Sequence, residues 1–138
     1  TNPLFMLLEK LILVELDSMN EVHAKEVEIL EDLYTSILEK DIKNITEKLE
    51  IFIDDVKQHF KSEEEKMVEY KFPALMKHKM SHLNTLMGLN KAKQEWISTQ
   101  NPENLQKYFE NVFKTWLIDH LQTMDKKTAE FLKNSGCK

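Results

Sequence analysis

Residues 59–82 read HFKSEEEKMVEYKFPALMKHKMSH, and three of the chain's five histidines fall within them. His59 and Glu63 stand four residues apart, as do His78 and His82. On a helix, residues four apart lie one above the other on the same face, about 5–6 Å apart at Cβ. Each pair can therefore present two metal-binding atoms to one point. Pro73 falls between the pairs, where it would end one helix and begin the next. The spacing predicts two antiparallel helices facing each other, with His/Glu on one and His/His on the other.

Outward from this stretch, little interrupts the chain. Its 138 residues include only two glycines (Gly88, Gly136) and three prolines (Pro3, Pro73, Pro102). So few breakers predict long helices rather than a sheet with many turns. The helix bearing His59 reads from about Asp41 to Tyr70, with Ile45, Leu49, Phe52, Val56, Phe60 and Met67 apolar at helical spacing. Glu63 shares the stripe of His59, whereas the rest of the run Glu63-Glu64-Glu65 reads as a solvated face. The next helix runs from near Pro73 to about Ser98, with Leu75, His78, His82, Leu86 and Leu89 close to one face. Before them, a first helix spans about Met19 to Lys40, with Asn20 as a candidate N-cap and His23 in its first turns. After them, Asn101-Pro102 opens a fourth helix to about Lys133, ended by Asn134-Ser135-Gly136. That helix is predicted to bury Leu105, Phe109, Val112, Phe113, Trp116, Leu117, His120, Leu121 and Met124. The expectation is all-α: one domain over 1–138, an up-down-up-down four-helix bundle over 19–134, and an N-terminal arm or short helix over 1–18.

Composition narrows the function classes. The net charge is −5, from 19 basic and 24 acidic residues, which argues against a nucleic-acid partner. The most apolar run, Leu4 to Leu16, is broken by Glu9, Lys10 and Glu15, whereas a membrane span needs roughly 20 apolar residues. The run also lacks the basic start and small-residue cleavage site of a signal peptide. A single Cys137 excludes an internal disulfide framework, and a cytoplasmic location is expected. An opening on Thr1 is consistent with processing, or with a piece of something longer. There is no glycine-rich phosphate loop, nucleophile elbow or cysteine-rich zinc pattern.

What needs explaining is the polar content of the predicted core. All five histidines fall on inward faces, at least one on each helix. Burying imidazoles and carboxylates among leucines costs several kcal/mol unless each is paired or bound to metal. A shared metal centre satisfies all of them together. Imidazole and carboxylate without thiolate suit iron or manganese, and zinc less specifically. Met67, Met76, Met80, Met87 and Met124 read as core filling instead.

With these motifs the chain resembles the hemerythrin family in its bacterial form, the bacteriohemerythrins, over about residues 14–133. The family pattern is one His on the first helix, HxxxE on the second, HxxxH on the third and HxxxxD on the fourth. Here these read His23, His59-Phe-Lys-Ser-Glu63, His78-Lys-Met-Ser-His82 and His120-Leu-Gln-Thr-Met-Asp125. Phe72-Pro73 before His78 and Trp116-Leu117 before His120 agree as well. The resemblance implies two iron ions. His78, His82 and His120 would bind one and His23 and His59 the other, with Glu63, Asp125 and an oxo or hydroxo group as bridges. It also implies an open position on the second iron, where O₂ binds and is reduced to a hydroperoxide, and where small anions such as azide compete. Spacing alone does not supply Asp125: five residues of α-helix is about 140° of rotation, so His120 and Asp125 are expected to straddle the site.

One position departs from the family. Three residues after the first-helix His, where family members usually carry an apolar residue, this chain has Glu26. Val22 and Asn20 likewise replace the family's usual Gln and Asp. By the resemblance the apolar position lines the O₂ pocket beside residues matching Phe60, Trp116 and Leu121. Either Glu26 reaches solvent from a slightly rotated helix, or it enters the pocket as a ligand to iron or a proton donor. The expectation is an O₂-binding carrier, store or sensor module, with contact or fusion to a signalling domain among its forms. The competing readings are a di-iron enzyme that reduces O₂ or peroxide, a redox- or iron-sensing module whose open site is modified by Glu26, and a helical interaction domain that keeps a metal for stability.

Overall fold

A computed structural model describes residue 14 and residues 16–138. Most of the expected N-terminal arm, residues 1–13 and 15, lies outside the described residues. The remainder forms four long helices: α1 (Asp17–Leu38), α2 (Ile42–Glu69), α3 (Leu75–Thr99) and α4 (102–134). No strand occurs among the described residues.

The connections are short because the ends are capped chemically. The Asp41 carboxylate accepts from the Asn44 backbone N–H at 3.3 Å and starts α2. The Asn101 side chain accepts from Glu103 and Asn104 at the start of α4, with Pro102 in the first turn. Asn20 does not cap α1; that position falls to Leu16, and the helix begins two residues earlier than its sequence suggests. The Asn20 amide instead holds the preceding chain, accepting from the Val14 N–H at 2.8 Å and donating to the Val14 carbonyl at 2.9 Å.

Contacts between ends fix the up-down-up-down order. The indole N–H of Trp96, late on α3, donates to Thr46, early on α2. Lys66, late on α2, donates to Ser18, early on α1. Lys40 after α1 meets Glu103 at the start of α4. Along the interior, a large apolar cluster centres on Phe52, Phe109 and Phe113 with Leu33, Ile37 and Leu49. A smaller one joins Leu16, Met19, Ala129 and Leu132 at the opposite end. The histidines and their carboxylates occupy the layer between them.

α4 is not a plain α-helix. It widens into π-helical turns at Tyr108–Phe113 and Leu121–Asp125. The reason lies in its buried stripe, which repeats every four residues through Leu105, Phe109, Phe113, Leu117, Leu121, Asp125 and Ala129. A four-residue step overshoots a full α-turn by about 40°, so six steps would carry the stripe about 240° around the helix. Each π-turn absorbs one extra residue, about 100°, and two of them keep the stripe facing inward. This register corrects the prediction for Val112, which is 58% exposed. Three methionines also differ from expectation: Met67 is core, but Met76, Met80 and Met87 lie on the outer face of α3. They stand opposite His78 and His82, on the face of α3 turned away from the centre.

Candidate metal centre

Every helix contributes to one buried cluster: His23 from α1, His59 and Glu63 from α2, His78 and His82 from α3, His120 and Asp125 from α4. Two sets of donor atoms lie within 4.8 Å of one another: Glu63 with His78, His82, His120 and Asp125, and His23 with His59 and Glu63.

The two carboxylates link these sets. Glu63 Oε1 lies 2.7 Å from His78 Nε2 and 3.4 Å from His82 Nε2, while its Oε2 lies 3.0 Å from His59 Nε2. Asp125 does the same from the opposite wall. Its Oδ1 is 3.0 Å from His120 Nε2 and 3.1 Å from His78 Nε2, and its Oδ2 is 3.2 Å from His23 Nε2. His120 and Asp125 do not straddle the centre as a plain α-helix would require. The π-turn Leu121–Asp125 brings both to the same side.

Four of the histidines are anchored through the opposite ring nitrogen. His59 Nδ1 is 2.6 Å from the Glu26 carboxylate, and His82 Nδ1 is 2.8 Å from that of Glu64. His78 Nδ1 is 2.7 Å from the Thr128 hydroxyl, and His120 Nδ1 is 2.9 Å from the Ser81 hydroxyl, which accepts from the Trp116 indole. A carboxylate can only accept, so His59 and His82 donate from Nδ1 and turn Nε2 inward. Glu64, Ser81 and Thr128 are the residues that the sequence reading does not single out. Glu64 had a weak signal, one residue and about 100° beyond Glu63. For the two hydroxyls no sequence pattern points inward.

The charges are arranged to offset burial. Burial opposes ionisation of Glu63, but His59, His78 and His82 outweigh it and hold the carboxyl well below its usual range. Burial and Glu63 both work against the Asp125 charge, yet His120, His23 and His78 hold that carboxyl low too. Burial disfavours charge on His59 and His78, but Glu26 and Glu63 raise the first well above an ordinary histidine, and Asp125 and Glu63 raise the second to about 9. His120 goes down, because burial prevails over Asp125. Protonated histidines thus compensate the carboxylates only in part: Glu63 Oε1, Asp125 Oδ1 and His82 Nε2 are buried without an aligned hydrogen bond. Orphaned atoms of this kind, all aimed at one centre, fit a cation.

The residues expected to line one pocket with Glu26 sort to two sides, with Phe60 and Trp116 together on one and Leu121 on the other. Phe60 stacks on His82 at 3.8 Å between centroids, and Trp116 stacks on His120 at 4.5 Å. Leu121 instead joins Glu26, His23, Val27, Leu30 and Leu117 around a cavity of about 10 Å³. That is about the volume one water-sized molecule needs. A larger cavity of about 310 Å³, near Trp96 and Tyr108, touches none of the clustered residues.

Residues 12–132 match the family model for the hemerythrin HHE cation binding domain. The chain belongs to the hemerythrin family. It is similar to the bacteriohemerythrin of Aquifex aeolicus (strain VF5), 30% identical over 114 residues that cover 83% of this chain and 87% of that protein. As a hemerythrin, it carries the cluster in the middle of the bundle rather than in a surface cleft. Among the described residues no helix is long and apolar enough to cross a membrane.

Proposed function

We propose that this chain is a non-haem di-iron protein that binds O₂ as a carrier, store or sensor. His78, His82 and His120 hold one ion, His23 and His59 the other, and Glu63 and Asp125 span the two. The observation that carries this reading is that each carboxylate turns one oxygen toward each group of histidines. A single-ion site needs no such division, and a purely structural core would pair its polar atoms rather than orphan three of them. When bound, the iron pair supplies the electrons and the Lewis acidity that O₂ binding requires.

The three-to-two split of histidines leaves fewer protein ligands on the side of His23 and His59. The small cavity beside His23 lies on that same side, and its remaining walls are aliphatic apart from Glu26. O₂ or azide is proposed to bind on this side, beside Val27, Leu30, Leu117 and Leu121. The test is iron content together with the absorption spectrum in air, before and after azide. Two irons per chain and an azide-dependent change support the reading. One iron or none in carefully reconstituted protein rejects it.

A further inference from the structure

Glu26 belongs to neither set of donor atoms. It is 6% exposed on α1, and its Oε2 lies 2.6 Å from His59 Nδ1, on the side of the ring away from the centre. The other ring nitrogen, Nε2, faces Glu63 Oε2 at 3.0 Å. Glu26, His59 and Glu63 therefore form one line running from the cavity wall to the centre. Among the described residues no lysine pairs with Glu26: its neighbour Lys25 is exposed and bridges Asp55 at 3.6 Å. A buried carboxylate without a cation is costly. His59 can offset that cost only while its ring carries positive charge, borrowed from a proton or from a cation on Nε2.

The same arrangement recurs across the centre. His82 Nδ1 is held by Glu64, whereas His78 and His120 are held by neutral hydroxyls. With the histidines divided as proposed above, each ion has one histidine backed by a carboxylate. A carboxylate behind a metal-bound imidazole fixes its tautomer and raises its basicity as a ligand. A more basic ligand set favours the higher-charged ion.

We propose that Glu26 is a positioning residue that, through His59, stabilises the oxidised state of the adjacent iron. Instead of filling the open coordination position, it makes the centre a stronger reductant. This disposes the chain to redox work or redox sensing with O₂ rather than to lasting reversible carriage. The inference rests on the di-iron reading above.

The test compares the full chain with Glu26→Gln, Glu26→Asp and Glu26→Leu, each reconstituted with iron. Iron content and the midpoint potential of the centre are measured by redox titration. All four proteins are expected to hold two irons. Leu should raise the potential by the equivalent of about tenfold in the ferric-to-ferrous balance, about 59 mV for a one-electron step. Gln should raise it by less, and Asp should restore part of the difference. Equal potentials in wild type, Gln and Leu would overturn the proposal. Nitrogen NMR of the histidines in zinc-loaded protein supplies a readout independent of iron. His59 should show a slowly exchanging Nδ1–H in wild type that exchanges rapidly in Glu26→Leu; an unchanged signal would also overturn the proposal. If wild type fails to hold two irons, the di-iron reading falls, while the NMR comparison still reports on the Glu26–His59 bond.

Discussion

Asp125 lies five residues beyond His120, yet its Oδ1 stands 3.0 Å from His120 Nε2. The π-turn between them makes this possible, and it behaves as one extra residue accommodated within a helix. Deleting the exposed Gln122 should therefore be tolerated: Asp125 would follow His120 by four residues in an ordinary α-turn and keep its face. Inserting one alanine at the same place should rotate everything after it by about 100° and pull Asp125 and Thr128 out of the centre. Metal content and thermal unfolding of the two variants check this. Equal loss of metal in both would mean that the π-turn is not the source of the register.

Thr128 and Glu64 act on metal only through His78 and His82. Replacing such an outer partner typically costs 10–100-fold in metal affinity, roughly the effect expected for Thr128→Val and Glu64→Ala. Glu65, exposed on the same turn, is the control, and Glu65→Ala should change nothing. Competition with a chelator measures the three. Retention of wild-type affinity in Thr128→Val would remove the hydroxyl from the account.

Metal loading should release protons. In the metal-free protein the raised pKa values of His59 and His78 mean that both rings are charged near neutral pH. Their contribution to stability is fully present below the ordinary histidine value of 6.5 and is lost as pH rises through the folded value, about 9 for His78. Glu63 and Asp125, held low, contribute above the ordinary carboxylate range and lose it as pH falls through their folded values. The metal-free bundle should thus weaken progressively on the alkaline side of 6.5. Zinc(II), a redox-silent stand-in, should displace more protons at about pH 7 than above about pH 9, where His78 has already lost its own. Indicator-monitored titration at the two pH values measures this. Equal release would contradict the charged cluster.

The bundle and most of the centre were legible in the sequence because they repeat within one helix. His59 with Glu63, and His78 with His82, need only α-helical spacing to converge, and both pairs do. The step from His120 to Asp125 was not legible from spacing, since it depends on a π-turn. The stripe of four-residue steps from Leu105 to Ala129 was nevertheless there to be read. Glu64, Ser81 and Thr128 were hidden for another reason. They sit at the edges of their helices, and only the neighbouring helix decides whether an edge residue meets water or a histidine. Met76, Met80 and Met87 look like core by composition alone, but α3 has a single inward face and His78, His82, Thr85 and Leu89 already fill it.

The central claim is that Glu63 and Asp125 each serve two ions. An anomalous-difference map from crystals of the iron-loaded chain, collected at the iron edge, tests it most directly. The account predicts two peaks, one among His78, His82 and His120 and one beside His23 and His59, with one oxygen of each carboxylate toward each peak. A single peak, or two peaks with either carboxylate turned wholly to one of them, would contradict it.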